Sequence, residues 1–239
     1  MIRGFEGVLL DLYGTLVTAG SRAGRAPHLR AMANTLGADV SRFEHDWTQS
    51  LPDRVFGRLG PLEATVATIA GRQGLRPSRA QVHRAVEIRL AFSKATLEAC
   101  APVLPALESM RSAGVRFAVV TDCSEETARL WSSSPLGRRI EVAVFSCVEG
   151  VCKPDPRMYR RALDQLGLPA ARCAYVGDGG SRELTGAEAL GLTAFQYRFP
   201  GDLGQPDTRF DPDTEWRGPS LPDLAGLLAA TRRGAEGSR

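Results

Sequence analysis

Three short apolar runs in this 239-residue chain each stop at an aspartate: "VLLD" at 8–11, "VVTD" at 119–122 and "YVGD" at 175–178. Runs this short and this rich in Val and Leu suit strands buried on both faces. An acid that ends such a strand sits where the chain leaves the core. From residue 102 onward, helical and strand patterns alternate. "PVLPALESMRSAG" reads as a helix, "VRFAVVTD" as a strand, "SEETARLWSSS" as a helix and "VAVFSCVE" as a strand. "PRMYRRALDQLG", "RCAYVGD", "SRELTGAEALG" and "LTAFQYR" then repeat the order helix, strand, helix, strand, and "LPDLAGLLAATRR" reads as a closing helix. This alternation predicts right-handed βαβ units and a parallel sheet with helices on both faces.

Residues 18–100 follow a different period. "HLRAMANTLG", "RFEHDWTQSL", "PLEATVATIAGRQG" and "SRAQVHRAVEIRLAFSKATLEAC" carry apolar residues at three- and four-residue spacing, and Gly37, Gly60, Gly74 and Pro77 punctuate them. The predicted architecture is a Rossmann-like α/β core, residues 1–17 and 101–239, interrupted after its first strand by an all-helical insert at 18–100. Within the insert, Phe43 and Trp47 fall four apart on one helix and read as its core. Arg22, Arg25 and Arg54 are candidates to meet an anionic substrate, although a solvated face is the reading favoured for each, and His45 has no identifiable partner.

Composition narrows the class. A hydrophobic share of 43% and a charged share of 24% are ordinary for a soluble globular chain. Its 30 basic residues comprise 2 Lys and 28 Arg, scattered among acids rather than gathered in a stripe, so no nucleic-acid surface is predicted. No run of about 18 apolar residues is present, so no membrane span is expected, and Met1-Ile2-Arg3-Gly4 does not read as a secretory leader. The five cysteines are odd in number and form no C-x-x-C pair, as expected of reduced thiols in a cytoplasmic protein.

In an open parallel sheet, ligands bind beyond the carboxyl ends of the strands. Asp11, Thr121 with Asp122, and Asp178 with Glu183 five residues on all fall at such ends, and Lys153 follows "VAVFSCVE" by a short loop. Each alone could be a turn or a helix cap. Together they share one rim. The order D-x-x-G-T-L at 11–16, T-D at 121–122, "KPDPRMY" at 153–159 and "VGDGGSRELTGAEALG" at 176–191 resembles the four motifs of the haloacid dehalogenase (HAD) superfamily of hydrolases. The insert sits where that superfamily places its helical C1 cap.

The resemblance implies a division of labour that the residue chemistry supports. Asp11 would attack phosphorus as a carboxylate nucleophile and form an aspartyl-phosphate. Mg²⁺ favours one or two carboxylates plus waters. Asp11 and Asp178 would supply them, the main-chain carbonyl of Tyr13 would be a further ligand by analogy, and Glu183 would act on the metal's waters. Lys153 would bring positive charge to the nucleophile and the phosphate. Thr121 and the backbone around Gly14, Thr15 and Asp122 would donate hydrogen bonds to phosphate oxygens. The implied partner is a small anionic, phosphorylated substrate.

Tyr13 departs from this pattern. Phosphatases of the superfamily usually carry a second Asp two residues beyond the nucleophile, as acid toward the leaving group, and a phenol with pKa near 10 is a weak substitute. D-x-Y-G-T-L resembles instead the 2-haloacid dehalogenases of the superfamily, in which Asp attacks a carbon bearing halide without metal. Tyr159 likewise resembles the tyrosine of their "KPxxxxY", or else packs on the core. "GDGGSRE" points the other way, because dehalogenases of that type hold a small hydroxyl residue at the position of Asp178. Metal-dependent phosphonoacetaldehyde hydrolases also lack the second Asp and use a cap lysine as a Schiff base, and Lys94 is the one lysine of the insert. Three readings stand: a Mg²⁺-dependent phosphatase of a small metabolite, a metal-free dehalogenase-like hydrolase, and a catalytically degenerate member kept for binding.

Overall fold

The computed structural model describes residues 4–18, 22–98, 100–200, 211–214 and 216–227. Strand β1 (Gly7–Leu10) opens the core and is buried at every position. Helices α1 (Arg22–Leu36), α2 (Val40–Gln49), α3 (Leu51–Val55), α4 (Leu62–Gly71) and α5 (Arg79–Glu98) follow. The chain then returns through α6 (Leu104–Ser112), β2 (Arg116–Thr121), α7 (Glu125–Trp131), β3 (Val142–Phe145) and α8 (Ser146–Glu149). It ends in α9 (Pro156–Leu166), β4 (Cys173–Gly177), α10 (Glu183–Glu188) and β5 (Thr193–Gln196).

The five strands form one parallel sheet in the order β3-β2-β1-β4-β5. Side chains alternate across it with period two. Val8, Leu10, Phe117, Val119, Ala174 and Val176 face one apolar cluster, which Leu107, Met110 and Trp131 complete from α6 and α7. Leu9, Ala118, Val120, Cys173 and Tyr175 face the other, against Met158, Tyr159 and Ala162 of α9 and Leu184 and Ala187 of α10. Strand order reverses at β1, whose neighbours are β2 on one side and β4 on the other. The carboxyl ends of β1 and β4 are therefore where a parallel sheet offers its crevice, and Asp11 and Asp178 stand there.

Helices α1 to α5 carry a third apolar cluster that includes Met32, Phe43, Trp47, Leu62, Val66, Ile69 and Val86. Phe43 and Trp47 stack with ring centroids 5.9 Å apart. The stretch Arg79–Ser112 is long and apolar enough, by length and composition, to cross a membrane. Its α5 half, however, packs on α1 and α7 and places Arg89 against Glu126.

Two elements differ from the sequence expectation. "VAVFSCVE" is not one strand: β3 stops at Phe145 and "SCVE" turns into α8, because the Ser146 hydroxyl accepts the Cys123 N–H and donates to the Cys123 carbonyl, taking that segment out of the sheet ladder. "SRELTGAEALG" becomes helical only from Glu183, since Ser181 and Arg182 hold left-handed backbone at φ 53° and 46°. The second half of "LPDLAGLLAATRR", residues 228–233, lies outside the described residues.

The helical insert meets the core at Gly57, in the turn after α3. Its φ of +69° favours glycine, and a Cβ there would lie 2.1 Å from the Cys147 carbonyl oxygen of α8. Gly57→Ala should therefore cost at least about 1–2 kcal/mol, lowering the melting temperature by roughly 2–8 °C for a chain of this size. A calorimetric scan with an unchanged melting temperature would show that the turn is not seated on α8.

Candidate active site

The loop that leaves β1 folds back at once. Gly14 N–H donates to the Val17 carbonyl at 2.7 Å, and the Thr15 and Leu16 N–H groups donate to the Leu12 carbonyl. Gly14 takes φ +88°, and a Cβ on it would come 2.5 Å from Asp178 Oδ2. Glycine is thus what lets Asp178 come up against the Asp11 turn. The Thr15 hydroxyl donates to Asp11 Oδ2 at 3.0 Å.

Lys153 reaches the same point from the loop before α9. Its Nζ donates to Asp11 Oδ1 at 2.5 Å and to Glu183 Oε2 at 2.5 Å. The Tyr175 hydroxyl also donates to Glu183 Oε2, at 2.7 Å, and Gly179 N–H to Glu183 Oε1, at 3.0 Å. Asp11, Asp178 and Glu183 are all buried, and one carboxylate oxygen from each lies within 4.8 Å of the others. Among the described residues, three carboxylates gather beside one ammonium, and oxygen donors of this kind suit a hard divalent cation such as Mg²⁺.

Electrostatics follow from that crowding. Burial pushes the Asp11 carboxyl above its ordinary range, and Asp178 adds to the effect while Lys153 opposes it. Burial together with Asp11 raises Glu183 to about 8, against Lys153. For Lys153, burial disfavours the charge, but Asp11, Glu183 and Asp122 outweigh it and hold the ammonium well above its usual value. The Thr121 hydroxyl, at the end of β2, is fully buried with no hydrogen-bond partner, an orphan donor on the same rim.

Several expected roles change. The Gly14 and Thr15 amides are consumed by their own turn and are not phosphate donors in this geometry. The Asp122 carboxylate accepts the Lys153 main-chain N–H at 3.0 Å, and the Cys123 amide is taken by Ser146, so this segment positions the lysine loop. Glu183 is bonded directly to Lys153, a contact that its spacing from Asp178 gave no reason to expect. Tyr13 lines the cleft, but its hydroxyl pairs with Thr127 Oγ1 of α7 at 2.8 Å, and burial raises its pKa further. Tyr159 is a core residue: its hydroxyl donates to the Glu183 carbonyl at 3.0 Å and its ring packs edge-on against Tyr175. Lys94 is exposed beside Glu98 and lies outside the cleft, which removes it as a Schiff-base lysine. His45 is exposed, and the Arg22 side chain is outside the described residues.

A cleft of about 920 Å³ runs from this rim to the helical insert. Its far wall holds a polar cluster that local sequence patterns gave no reason to join. Arg54 of α3, read as solvated, is only 6% exposed. Its Nε donates to Ser50 Oγ, Nη1 to Ser124 Oγ at 2.8 Å and Nη2 to the Trp47 carbonyl. Arg89 of α5 donates through Nε and Nη2 to Glu126 Oε1 at 2.8 and 2.5 Å, and through Nη1 to His28 Nε2 at 2.9 Å. Because guanidinium only donates, His28 is neutral with its proton on Nδ1. Burial, aided by Arg89, lowers its pKa to about 3. Half-buried Arg25 lines the same wall.

A family described as haloacid dehalogenase-like hydrolase matches residues 5–191. (S)-2-haloacid dehalogenase 4A of Burkholderia cepacia is 26% identical over 96% of this chain and 97% of its own length. The rat phospholysine phosphohistidine inorganic pyrophosphate phosphatase is 26% identical over 88% of this chain and 90% of its own. Mouse acyl-CoA dehydrogenase family member 10 is 33% identical over 119 residues, and the match spans only 11% of that relative. Among solved structures, a 2-haloacid dehalogenase from Pseudomonas syringae pv. Tomato DC3000 shares the fold with TM-score 0.68 at 22% identity, covering 96% of this chain and 99% of that one.

The raised Glu183 carboxyl gives a signed pH dependence. The folded state binds a proton that the unfolded state releases near pH 4.5, so without divalent cation stability should be fullest below that pH and fall as pH rises toward about 8. The slope should be up to ~1.4 kcal/mol per pH unit for one proton shared by the cluster. Mg²⁺ should raise the melting temperature more at pH 8 than at pH 5, and Asp178→Asn should shrink that gain. A melting temperature that rises steadily from pH 5 to 8 in chelator contradicts the assignment.

Proposed function

Because the chain belongs to the haloacid dehalogenase-like hydrolase family, we propose that it is a Mg²⁺-dependent phosphatase of a small phosphorylated metabolite. The observation that carries this reading is the convergence of Asp11, Asp178 and Glu183 around a single ammonium. A metal-free enzyme gains nothing from two further buried carboxylates beside its nucleophile, because each like charge raises the cost of ionising Asp11. Asp11, Asp178 and Glu183 are the residues that would hold the metal, and a bound Mg²⁺ supplies charge neutralisation at the phosphoryl oxygens.

Asp11 attacks phosphorus, the bond to the leaving oxygen breaks, and an aspartyl-phosphate forms. Water then cleaves it and regenerates the carboxylate. Lys153 favours the ionised nucleophile, and Thr15 fixes the orientation of the other carboxylate oxygen. The orphan Thr121 hydroxyl is a ready donor to a phosphoryl oxygen in a water-poor site. Tyr13, tied to Thr127, is a poor proton donor, so the leaving oxygen takes its proton from water or departs without one.

A second reading is a 2-haloacid dehalogenase. It is favoured by Tyr13 within D-x-Y-G-T-L and by a similarity to (S)-2-haloacid dehalogenase 4A that runs through nearly the whole chain. Asp11 would then attack carbon, and halide would leave without a proton.

Turnover of p-nitrophenyl phosphate separates the two. We expect phosphate release with Mg²⁺, loss on chelation, and a fall of about 10³-fold or more in Asp11→Asn, the scale of removing a covalent nucleophile. Halide release from 2-chloropropionate that survives chelator would decide for the dehalogenase. Tyr13→Asp should raise turnover of alkyl phosphates more than that of aryl phosphates, within the roughly 10²- to 10⁴-fold range of general acid catalysis. An equal effect on both would mean that another group delivers the proton.

A further inference from the structure

Opposite the carboxylate rim, the cleft wall sets two buried guanidiniums, Arg54 and Arg89, against one buried carboxylate among the described residues. Glu126 is 1% exposed and is the acid against which both arginines lie. Arg89 takes it in a two-pronged pair, and Arg54 stands off at 4.0 Å. Arg54 satisfies three of its five donors on neutral acceptors and rests over the Trp47 ring at 4.6 Å. His28 adds no charge. Among the described residues, these two guanidiniums share one buried carboxylate, Arg25 lies close enough to act on Arg54 as well, and a ligand carboxylate would supply a further counter-charge. Burial accordingly lowers the Arg54 pKa to about 10, although Glu126 works against the shift.

We propose that Arg54, backed by the Arg89–Glu126 pair, is a specificity subsite for a carboxylate of the substrate, which makes the substrate class a short phosphorylated carboxylic acid. This rests on the phosphatase reading for the identity of the reacting group. The two subsites belong to one loop. Thr121, the orphan donor on the rim, and Ser124, which fixes Arg54 Nη1, are three residues apart, at most about 11 Å of extended chain. A substrate that reaches both needs only a few carbon atoms between its phosphoryl and carboxylate groups. A planar carboxylate also matches the remaining edge of a guanidinium whose position three hydrogen bonds already fix.

The test compares 3-phosphoglycerate with glycerol 3-phosphate, which differ in whether the far carbon is a carboxylate or an alcohol. In the wild type with Mg²⁺ we expect kcat/KM for the acid to exceed that for the alcohol by about ten-fold or more, and the ratio to fall toward one in Arg54→Gln. The ratio cancels any loss common to both substrates. Should Arg54→Gln fail to fold, Arg54→Lys, which keeps the charge and loses the fork, should give an intermediate ratio. A wild-type ratio near one, with both esters hydrolysed, overturns the subsite and leaves the phosphatase reading standing. If neither ester is hydrolysed, the p-nitrophenyl phosphate assay alone decides the phosphatase reading, and thermal shift in chelator decides the subsite by itself. Malonate should then raise the wild-type melting temperature more than neutral malonamide does, and lose that advantage in Arg54→Gln. Equal shifts from the two compounds overturn the subsite on its own terms.

Discussion

The ammonium of Lys153 is the contact on which the site depends. It lies 2.5 Å from both Asp11 and Glu183, and all three side chains are almost wholly withdrawn from water. Carboxylates so placed repel one another strongly in a low dielectric. One shared cation at hydrogen-bond distance lets at least one of them stay ionised, as the nucleophilic role proposed for Asp11 requires. Much of the surrounding chain serves that placement. Asp122 takes the main-chain N–H of Lys153, Tyr175 and Gly179 fix the two oxygens of Glu183, and Tyr159 holds the Glu183 carbonyl from beneath. Gly14 leaves the gap through which Asp178 approaches.

The parts of the molecule legible in the sequence are those set by local pattern. Short apolar runs ending in Asp, alternating with helical periods, are enough to put Asp11 and Asp178 at adjacent strand ends, because strand ends in a parallel sheet share one edge. Lys153 and Glu183 are legible through their spacing from those ends. The opposite wall is not. His28, Arg54, Arg89 and Glu126 come from α1, α3, α5 and α7, each one of several charged or polar residues on its helix and of a kind that normally faces solvent. Only the packing of α5 on α1 and α7 turns them inward together. The backbone of the phosphate loops is equally hidden. Which amides a turn keeps for itself depends on its closure, and at Gly14, Thr15 and Cys123 closure consumes the donors that motif position alone would assign to a ligand.

Position 13 shows why a motif letter can mislead in both directions. Beside "DLYGTL" alone, a tyrosine suggests a halide that leaves without a proton. In the folded chain the phenol is committed to Thr127, so it belongs to the wall formed with α7 rather than to the acid-base equipment of Asp11. It lines the cleft. That is compatible with either chemistry, which is why the discrimination rests on Asp178 and Glu183.

The two walls of the cleft differ in the charges they gather. Among the described residues, the rim sets three carboxylates beside one ammonium and the helical wall sets two guanidiniums beside one carboxylate. On the proposed function, a divalent cation would lie among the carboxylates and an anionic tail of the ester would point toward Arg54. The same arginines also tie the insert to the core, through Arg54 to Ser124 and Arg89 to Glu126. Lifting the insert away would break these contacts while returning their charges to water, so the separation is opposed less strongly than loss of an apolar interface of equal area.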